Sequence, residues 1–515
     1  MFKKIALILL ALVFALAPLA SCAAGGDVSN VEEPDTPMGD ADGNGVVNEA
    51  DLLLLRSYLA IEAAEIHYEF CDLDGNFKVN DSDAEILERY LNGETDELSG
   101  TAFAREDEDI TNKLEDLGIN NYERWGDSNI KYIMSRNPYD MIASNGVVMV
   151  SGGNYQDNTG PVVINGYSIY EDGPVAMGTL ATEQVNRFYD CGDYVVALAI
   201  DAKLWQYGDV YLKPAASNKW ITQSRVLIDN IHCYDMICYN GSYFFCGSNV
   251  GYKLISGINT ELSKVSVYKV DGELSDSMTQ KDFQEVKVVN KHGKVITFES
   301  VLSSWIDSNG DKQYYKMGVP RFYEFFEFQG KLYAFYYNQY SDRYDEESNF
   351  NGLYVYDEEA NRFIYDEALD IEGLIPVFSG TAQDGEKIQH DFAWGDRYYF
   401  INAGLYSTAD FISYKEEKIP EYEDHLVRDV IFRGGKAYLL ASCELEDGTF
   451  TNVVLETFDF ESFRPLLHFD SELFARSFEF CNGEFYFGLG YSYSEYYEHK
   501  DGSECGRIYR YTYYR

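Results

Sequence analysis

A mostly β fold, a seven- or eight-bladed β-propeller behind a small α-helical N-terminal domain, is what the amino-acid sequence predicts. Three observations carry it. Tyrosine and phenylalanine number 44 and 32 in 515 residues, and aromatic side chains suit the half-buried face of a strand. A short phrase, a Gly turn followed by an apolar run, recurs eight times between residues 145 and 487. Apolar spacing of helical type is concentrated before residue 95.

The chain opens Met1-Phe2-Lys3-Lys4 and continues with an apolar run from Ile5 to Ala17. A basic start and a short apolar stretch read as a signal peptide, too short for a permanent membrane span. The tetrapeptide Leu19-Ala20-Ser21-Cys22 resembles a bacterial lipobox, which implies that residues 1–21 are removed and Cys22 carries the acyl chains. Several chains on one cysteine hold a protein to a membrane firmly. Residues 22–37 are small, polar and acidic and read as a disordered tether.

Next come two acidic loops 32 residues apart, Asp40 to Asp51 and Asp72 to Asp83. Each places an oxygen-bearing side chain at its first, third, fifth, ninth and twelfth positions: Asp40, Asp42, Asn44, Asn48 and Asp51, then Asp72, Asp74, Asn76, Asn80 and Asp83. Calcium takes six to eight oxygens, and a twelve-residue loop of this spacing wraps the chain around one ion. Helix-like apolar stretches follow, Leu52 to Leu59 and Ile86 to Leu91.

Two loop–helix units with Asp rather than Glu closing each loop resemble a dockerin, over residues 38–94. The ends of the helices, Arg56-Ser57-Tyr58-Leu59 and Glu88-Arg89-Tyr90-Leu91, share the likeness. The resemblance implies two calcium ions and a cohesin-bearing partner in a cellulosome-type assembly. It assigns side-chain oxygens of Asp40, Asp42, Asn44 and Asp51 to one ion, with the Val46 carbonyl and Asn48, directly or through water. It assigns Asp72, Asp74, Asn76, the Lys78 carbonyl, Asn80 and Asp83 to the other. One departure stands out. The sixth position, where a sharp turn favours glycine, is Gly45 in the first loop and Phe77 in the second. A bulky residue at positive φ is costly, so the second site is expected to be weaker or distorted. The resemblance also implies two partner-facing sets, Glu49, Ala50 and Arg56, and Asp81, Ser82 and Arg89. Their side chains differ, so the two halves are not expected to be interchangeable.

Residues 95–121 read as a linker, with a short acidic helix expected near Glu106 to Gly118. The propeller is expected over 122–515. Its turn glycines are Gly146, Gly192, Gly241, Gly293, Gly330, Gly395, Gly435 and Gly483, on average about 48 residues apart. A period of about 40–50 residues in an all-β chain signals one four-stranded blade per repeat. The short interval from Gly293 to Gly330 leaves the Gly293 copy irregular. The wording is similar to that of divergent kelch-like surface propellers. Two β-sandwich domains would share the short strands, but not one phrase recurring from Gly146 to Gly483.

A net charge of −45 opposes nucleic acid and anionic lipid, so membrane association is expected through the anchor alone. Eight cysteines remain beyond Cys22, either small core residues or disulfide partners. No GxSxG, HExxH, P-loop or Rossmann pattern occurs. The 86 acidic residues leave a glycosidase carboxylate pair open without identifying one. Two loops, Tyr336 to Asp345 and Tyr491 to Tyr497, combine tyrosines with acids; they are expected first to cap blade edges, and otherwise to stack on sugar rings. The first reading is a non-catalytic surface lipoprotein that docks a cohesin and whose propeller binds glycan or protein. The alternative is a propeller glycoside hydrolase or polysaccharide lyase recruited by the same module. A third reading has the module purely structural, packed on the propeller.

Overall fold

The computed structural model describes residues 37–60, 66–75, 78–95, 97–98, 107–121, 135–153, 161–169, 171–200, 210–221, 227–228, 232–255, 258–296, 303–306, 308–310, 312–315, 321–337, 351–369, 390–401, 404–433, 435–491 and 504–513. Within them the chain is mostly β, a seven-bladed propeller preceded by two short helices, α1 (Glu49–Leu59) and α2 (Asp81–Leu91).

The recurring Gly phrase is the turn between the first and second strands of a blade. Blade I turns at Gly146, between Met141–Ser144 and Val147–Val150. Blades II to VII turn at Gly192, Gly241, Gly330, Gly395, Gly435 and Gly483. At Asn145-Gly146, Asn240-Gly241, Gln329-Gly330 and Asn482-Gly483 both turn residues have positive φ. That is the two-residue turn whose twist matches the strands it joins. The eighth copy departs from this rule: Gly293 follows a short strand, Lys287–Val289, that runs parallel to the last strand of blade IV (Arg362–Tyr365). The irregular interval therefore marks an edge strand rather than an eighth blade.

The segment expected as a linker helix is instead strand. Glu108–Asp109 adds in parallel to the last strand of blade VI (Arg464–Ser471). Glu115–Ile119 pairs with Arg507–Thr512 and completes blade VII, whose other strands are Ala475–Cys481 and Glu484–Leu489. One blade thus takes strands from both ends of the propeller sequence, which closes the ring. The acids that suggested a helix have tertiary partners: Glu115 receives Arg510 at 2.7 Å, Asp116 pairs with Arg507, and Glu108 accepts from the Tyr511 hydroxyl at 2.8 Å. Local propensity yields to these contacts.

The buried apolar residues fall into seven clusters, one in each gap between neighbouring blades. The gap between blades VI and VII is extended by the helical module. Its Leu55, Tyr58, Tyr68, Cys71 and Leu87 belong to the same core as Leu440, Phe469, Phe480 and Phe485. The module is packed on the propeller.

The first strands line the axis, and acids on them tie the blades together. In blade I, Asp140 accepts from its neighbour Met141 N–H at 2.8 Å and from Phe188 N–H of blade II at 2.7 Å. Asp235 accepts from Phe325 N–H of blade IV at 2.6 Å. Asp429 accepts from Val430 N–H at 2.8 Å and Phe478 N–H of blade VII at 2.9 Å. Glu479 accepts from Phe480 N–H at 2.8 Å and Ala143 N–H of blade I at 2.9 Å, which joins blades VII and I.

Candidate metal-binding loops

Each acidic loop is stitched by its own carboxylates. In the first, the Asp40 carboxylate accepts from Asn44 N–H at 3.2 Å and Gly45 N–H at 2.7 Å. Asp51 accepts from Asp42 N–H at 3.1 Å and Asn48 N–H at 2.8 Å. The second loop repeats the closure: Asp83 accepts from Asp74 N–H at 3.1 Å, Leu73 N–H at 2.7 Å and Asn80 N–H at 2.8 Å. Gly43 and Gly45 adopt positive φ in the first loop and Gly75 in the second. Asn76 and Phe77, the fifth and sixth positions of the second loop, lie outside the described residues.

The helices begin inside the loops, three residues before Leu52 and five before Ile86. Asn48 and Asn80 at the ninth positions are N-caps, accepting from Ala50 N–H at 2.8 Å and Ser82 N–H at 2.9 Å. Asp51 and Asp83 return the bond to the cap N–H. Such reciprocal capping, worth about 1 kcal/mol per cap, makes the last loop acid part of the first helical turn. The Asn-x-x-Asp spacing carries this signal in the sequence.

Asp40, Asp42 and Asp51 each bring one carboxylate oxygen within 4.8 Å of the others, and so do Asp72, Asp74 and Asp83. Asp40, Asp51, Asp72 and Asp83 are fully buried. Burial, with the charges of Asp51 and Asp40 adding to it, raises the Asp42 pKa above its ordinary value. Burial, with Asp74 adding, does the same for Asp83. Three acids pressed together, two of them out of water, fit a hard divalent cation. In the first loop the Asn44 amide donates to the Asp42 carboxylate at 2.8 Å. Asn44 Oδ1 accepts from Val46 N–H at 2.9 Å, and the Val46 carbonyl accepts from the Asn48 amide at 2.9 Å. Lys78 is exposed and Asn80 half-buried.

Of the residues expected to face a partner, Glu49, Arg56, Asp81, Ser82 and Arg89 are exposed and Ala50 is half-buried. They open the first turns and line the later turns of α1 and α2. The two arginines differ in surroundings: Arg56 donates to Glu88 of α2 at 2.7 Å, whereas Arg89 stands 3.7 Å from Glu94. Residues that the sequence did not single out hold the module together. His67 N–H donates to the Ala41 carbonyl at 2.9 Å, and Gly39 N–H to the Phe70 carbonyl at 2.7 Å. Tyr68 meets Tyr58 and the propeller's Phe480 edge-on, both at 5.3 Å.

Tyr336 and Tyr491 are buried, at 1% and 3% exposure, and so unavailable to a sugar. Residues 338–345 and 492–497 lie outside the described set, as does Cys22. The eight cysteines from Cys71 to Cys505 are all free thiols.

No curated protein matches the chain. Among solved structures, BamB from Moraxella catarrhalis is 9% identical with a TM-score of 0.28, covering 72% of this chain and 96% of that one. The GH93 α-L-arabinofuranosidase of Fusarium graminearum, in complex with arabinobiose, is also 9% identical, with a TM-score of 0.32, and covers 78% and 98%. A chain of the mitotic checkpoint complex is 8% identical with a TM-score of 0.32, covering 73% and 89%. These similarities are too weak to bear on activity or partner. The family comparison is specific, because the Dockerin type I domain matches residues 38–92 and so covers both acidic loops and both helices. Residues 38–92 are a dockerin type I domain, and a seven-bladed β-propeller follows it.

Proposed function

We propose that the chain is an exported lipoprotein, anchored through Cys22, whose calcium-loaded dockerin binds a cohesin in a polysaccharide-degrading assembly. The observation that carries it is the pair of carboxylate triads, Asp40/Asp42/Asp51 and Asp72/Asp74/Asp83, each set at the start of a helix. Calcium bound there would neutralise the crowded acids and fix the helix starts. Asn44, the Val46 carbonyl and Asn48 complete the first ligand set, and Asn76, the Lys78 carbonyl and Asn80 the second. The exposed Glu49 and Arg56 with the half-buried Ala50, or Asp81, Ser82 and Arg89, then meet the partner.

The propeller is the part that binds glycan or protein. An open aromatic group on blades V and VI supports that role. Trp394 stacks on Phe432 at 5.7 Å, and Phe432 and Phe458 are 39% and 45% exposed. Aromatic faces of this kind suit sugar rings and apolar side chains alike.

Calorimetric titration of the chain with each cohesin of its own genome tests the docking. Binding in calcium that vanishes with EGTA is expected, and a blank against every cohesin would remove the assembly role. The same expression culture, fed labelled palmitate, should place the label on the wild type and not on Cys22→Ala.

A further inference from the structure

We propose that the joint between the module and the propeller is calcium-dependent: filled loops lock Tyr68 into a seat on blade VII, and empty loops release it. The proposal rests on the calcium reading of the loops and not on any partner. The segment from His67 to Cys71 carries Tyr68 and is tied to both acidic loops. At one end, His67 N–H donates to the Ala41 carbonyl of the first loop, and further along the Phe70 carbonyl accepts from Gly39 N–H, just before Asp40. At the other end Cys71 runs directly into Asp72, the first acid of the second loop. Cys71 Sγ also donates back to the His67 carbonyl at 3.2 Å.

Tyr68 is 7% exposed. Its ring stands against Phe480, which packs on Phe485 at 4.7 Å, and Phe485 meets Tyr513 at 5.3 Å. The seat is thus built on two strands of blade VII and the end of the propeller sequence. Next to Phe480, Glu479 bonds blade I and accepts from Arg433 of blade VI at 3.2 Å. The seat belongs to paired strands of blade VII, and in this proposal the segment from His67 to Cys71 is the part that moves.

Without a cation, the three acids of each loop repel at close range. Opening either loop withdraws an anchor from the segment that holds Tyr68. With cations bound, both anchors are fixed. The expected partner-facing residues of α1 and α2 stay open while Tyr68 is seated. A partner held by the module would therefore sit at a fixed angle to the propeller only while calcium is present.

Hydrogen exchange and small-angle scattering on the full chain, with calcium and with EGTA, test the joint, and calorimetry measures calcium uptake in parallel. EGTA should speed amide exchange in Ala475–Cys481 and Glu484–Leu489 by about tenfold and enlarge the radius of gyration. Phe480→Ala, which leaves the module's own residues intact, should give the same propeller response in calcium while α1 and α2 stay protected. Tyr68→Ala should match it from the module side. Calcium uptake with no response of blade VII to EGTA would overturn the joint and leave the calcium reading standing. An unchanged blade VII in Phe480→Ala would overturn it as well. Absence of uptake would remove the calcium reading and the joint with it.

Discussion

At the scale of single residues, the first and last acids of each loop do two kinds of work. Asp40 and Asp72 are buried, and Asp40 accepts from Asn44 N–H and Gly45 N–H within its own loop. Asp51 and Asp83 hold both a loop and a helix start. Removing Asp40 or Asp72 takes a full negative charge away from a divalent ion, so calcium affinity should fall roughly tenfold or more in each case. The two losses should differ. Gly45 supplies positive φ in the first loop, and the second loop has Phe77 at that position. The first site is therefore expected to dominate binding, and Asp40→Ala to cost more total affinity than Asp72→Ala. Calcium titration by calorimetry decides it, and the reverse order would contradict the ranking. These acids were legible in the sequence because loop spacing is a local property. Tyr68 was not. Nothing in His67-Tyr68-Glu69-Phe70 announces a partner some 400 residues away, and only the folded ring brings Phe480 to it.

At the scale of elements, the blade turns were legible and the blade ties were not recognised, although both have a period. The turn glycine shows itself because positive φ narrows the choice of residue. Four ties are acids six residues before the turn, Asp140 before Gly146, Asp235 before Gly241, Glu324 before Gly330 and Asp429 before Gly435, while Glu479 lies four before Gly483. In a chain with 86 acids such a position stands out only when the repeats are aligned on their glycines. The strand from Glu115 to Ile119 was misread for a related reason. Its acids suit a helix start, and their arginine partners lie at the far end of the chain. Asp429 offers the cleanest test of a tie, being 3% exposed and holding amides of two blades. Asp429→Ala leaves the Phe478 N–H without that acceptor, and should cost about 1–3 kcal/mol. Urea denaturation at neutral pH should show an earlier midpoint, while Asp447→Ala, in an exposed turn, should leave the midpoint unchanged. Equal midpoints for Asp429→Ala and wild type would show that the tie contributes nothing.

At the scale of the whole molecule, four blades converge on one guanidinium. Arg187 of blade II reaches Asp235 of blade III at 3.3 Å, Glu324 of blade IV at 2.6 Å and Asp391 of blade V at 3.2 Å. Tyr189 bonds Asp235, and the Tyr398 hydroxyl donates to Asp391 at 2.5 Å. All three acids are less than a tenth exposed. Three carboxylates against one arginine would leave two uncompensated charges out of water, which is too costly to hold. A proton relieves it. Burial, followed by the charge of Asp235, holds the Glu324 pKa well above its ordinary value, and burial pushes Asp235 up to about 6. The sign of the resulting pH dependence follows from linkage. A carboxyl whose folded pKa lies above its unfolded one binds more protons folded than unfolded, so its contribution is complete below the unfolded pKa and is lost as pH rises towards the folded pKa. The window therefore opens near 4.5, the ordinary value for Glu324, and extends upward. Glu324→Gln fixes the neutral form and is exempt from that loss. Denaturant midpoints of wild type and Glu324→Gln should lie closest at pH 5 and separate at pH 8, with the variant gaining. A gap that stays constant or narrows over that range would mean that Glu324 is ionised in the folded ring, and that the axis carries its charge by some other compensation.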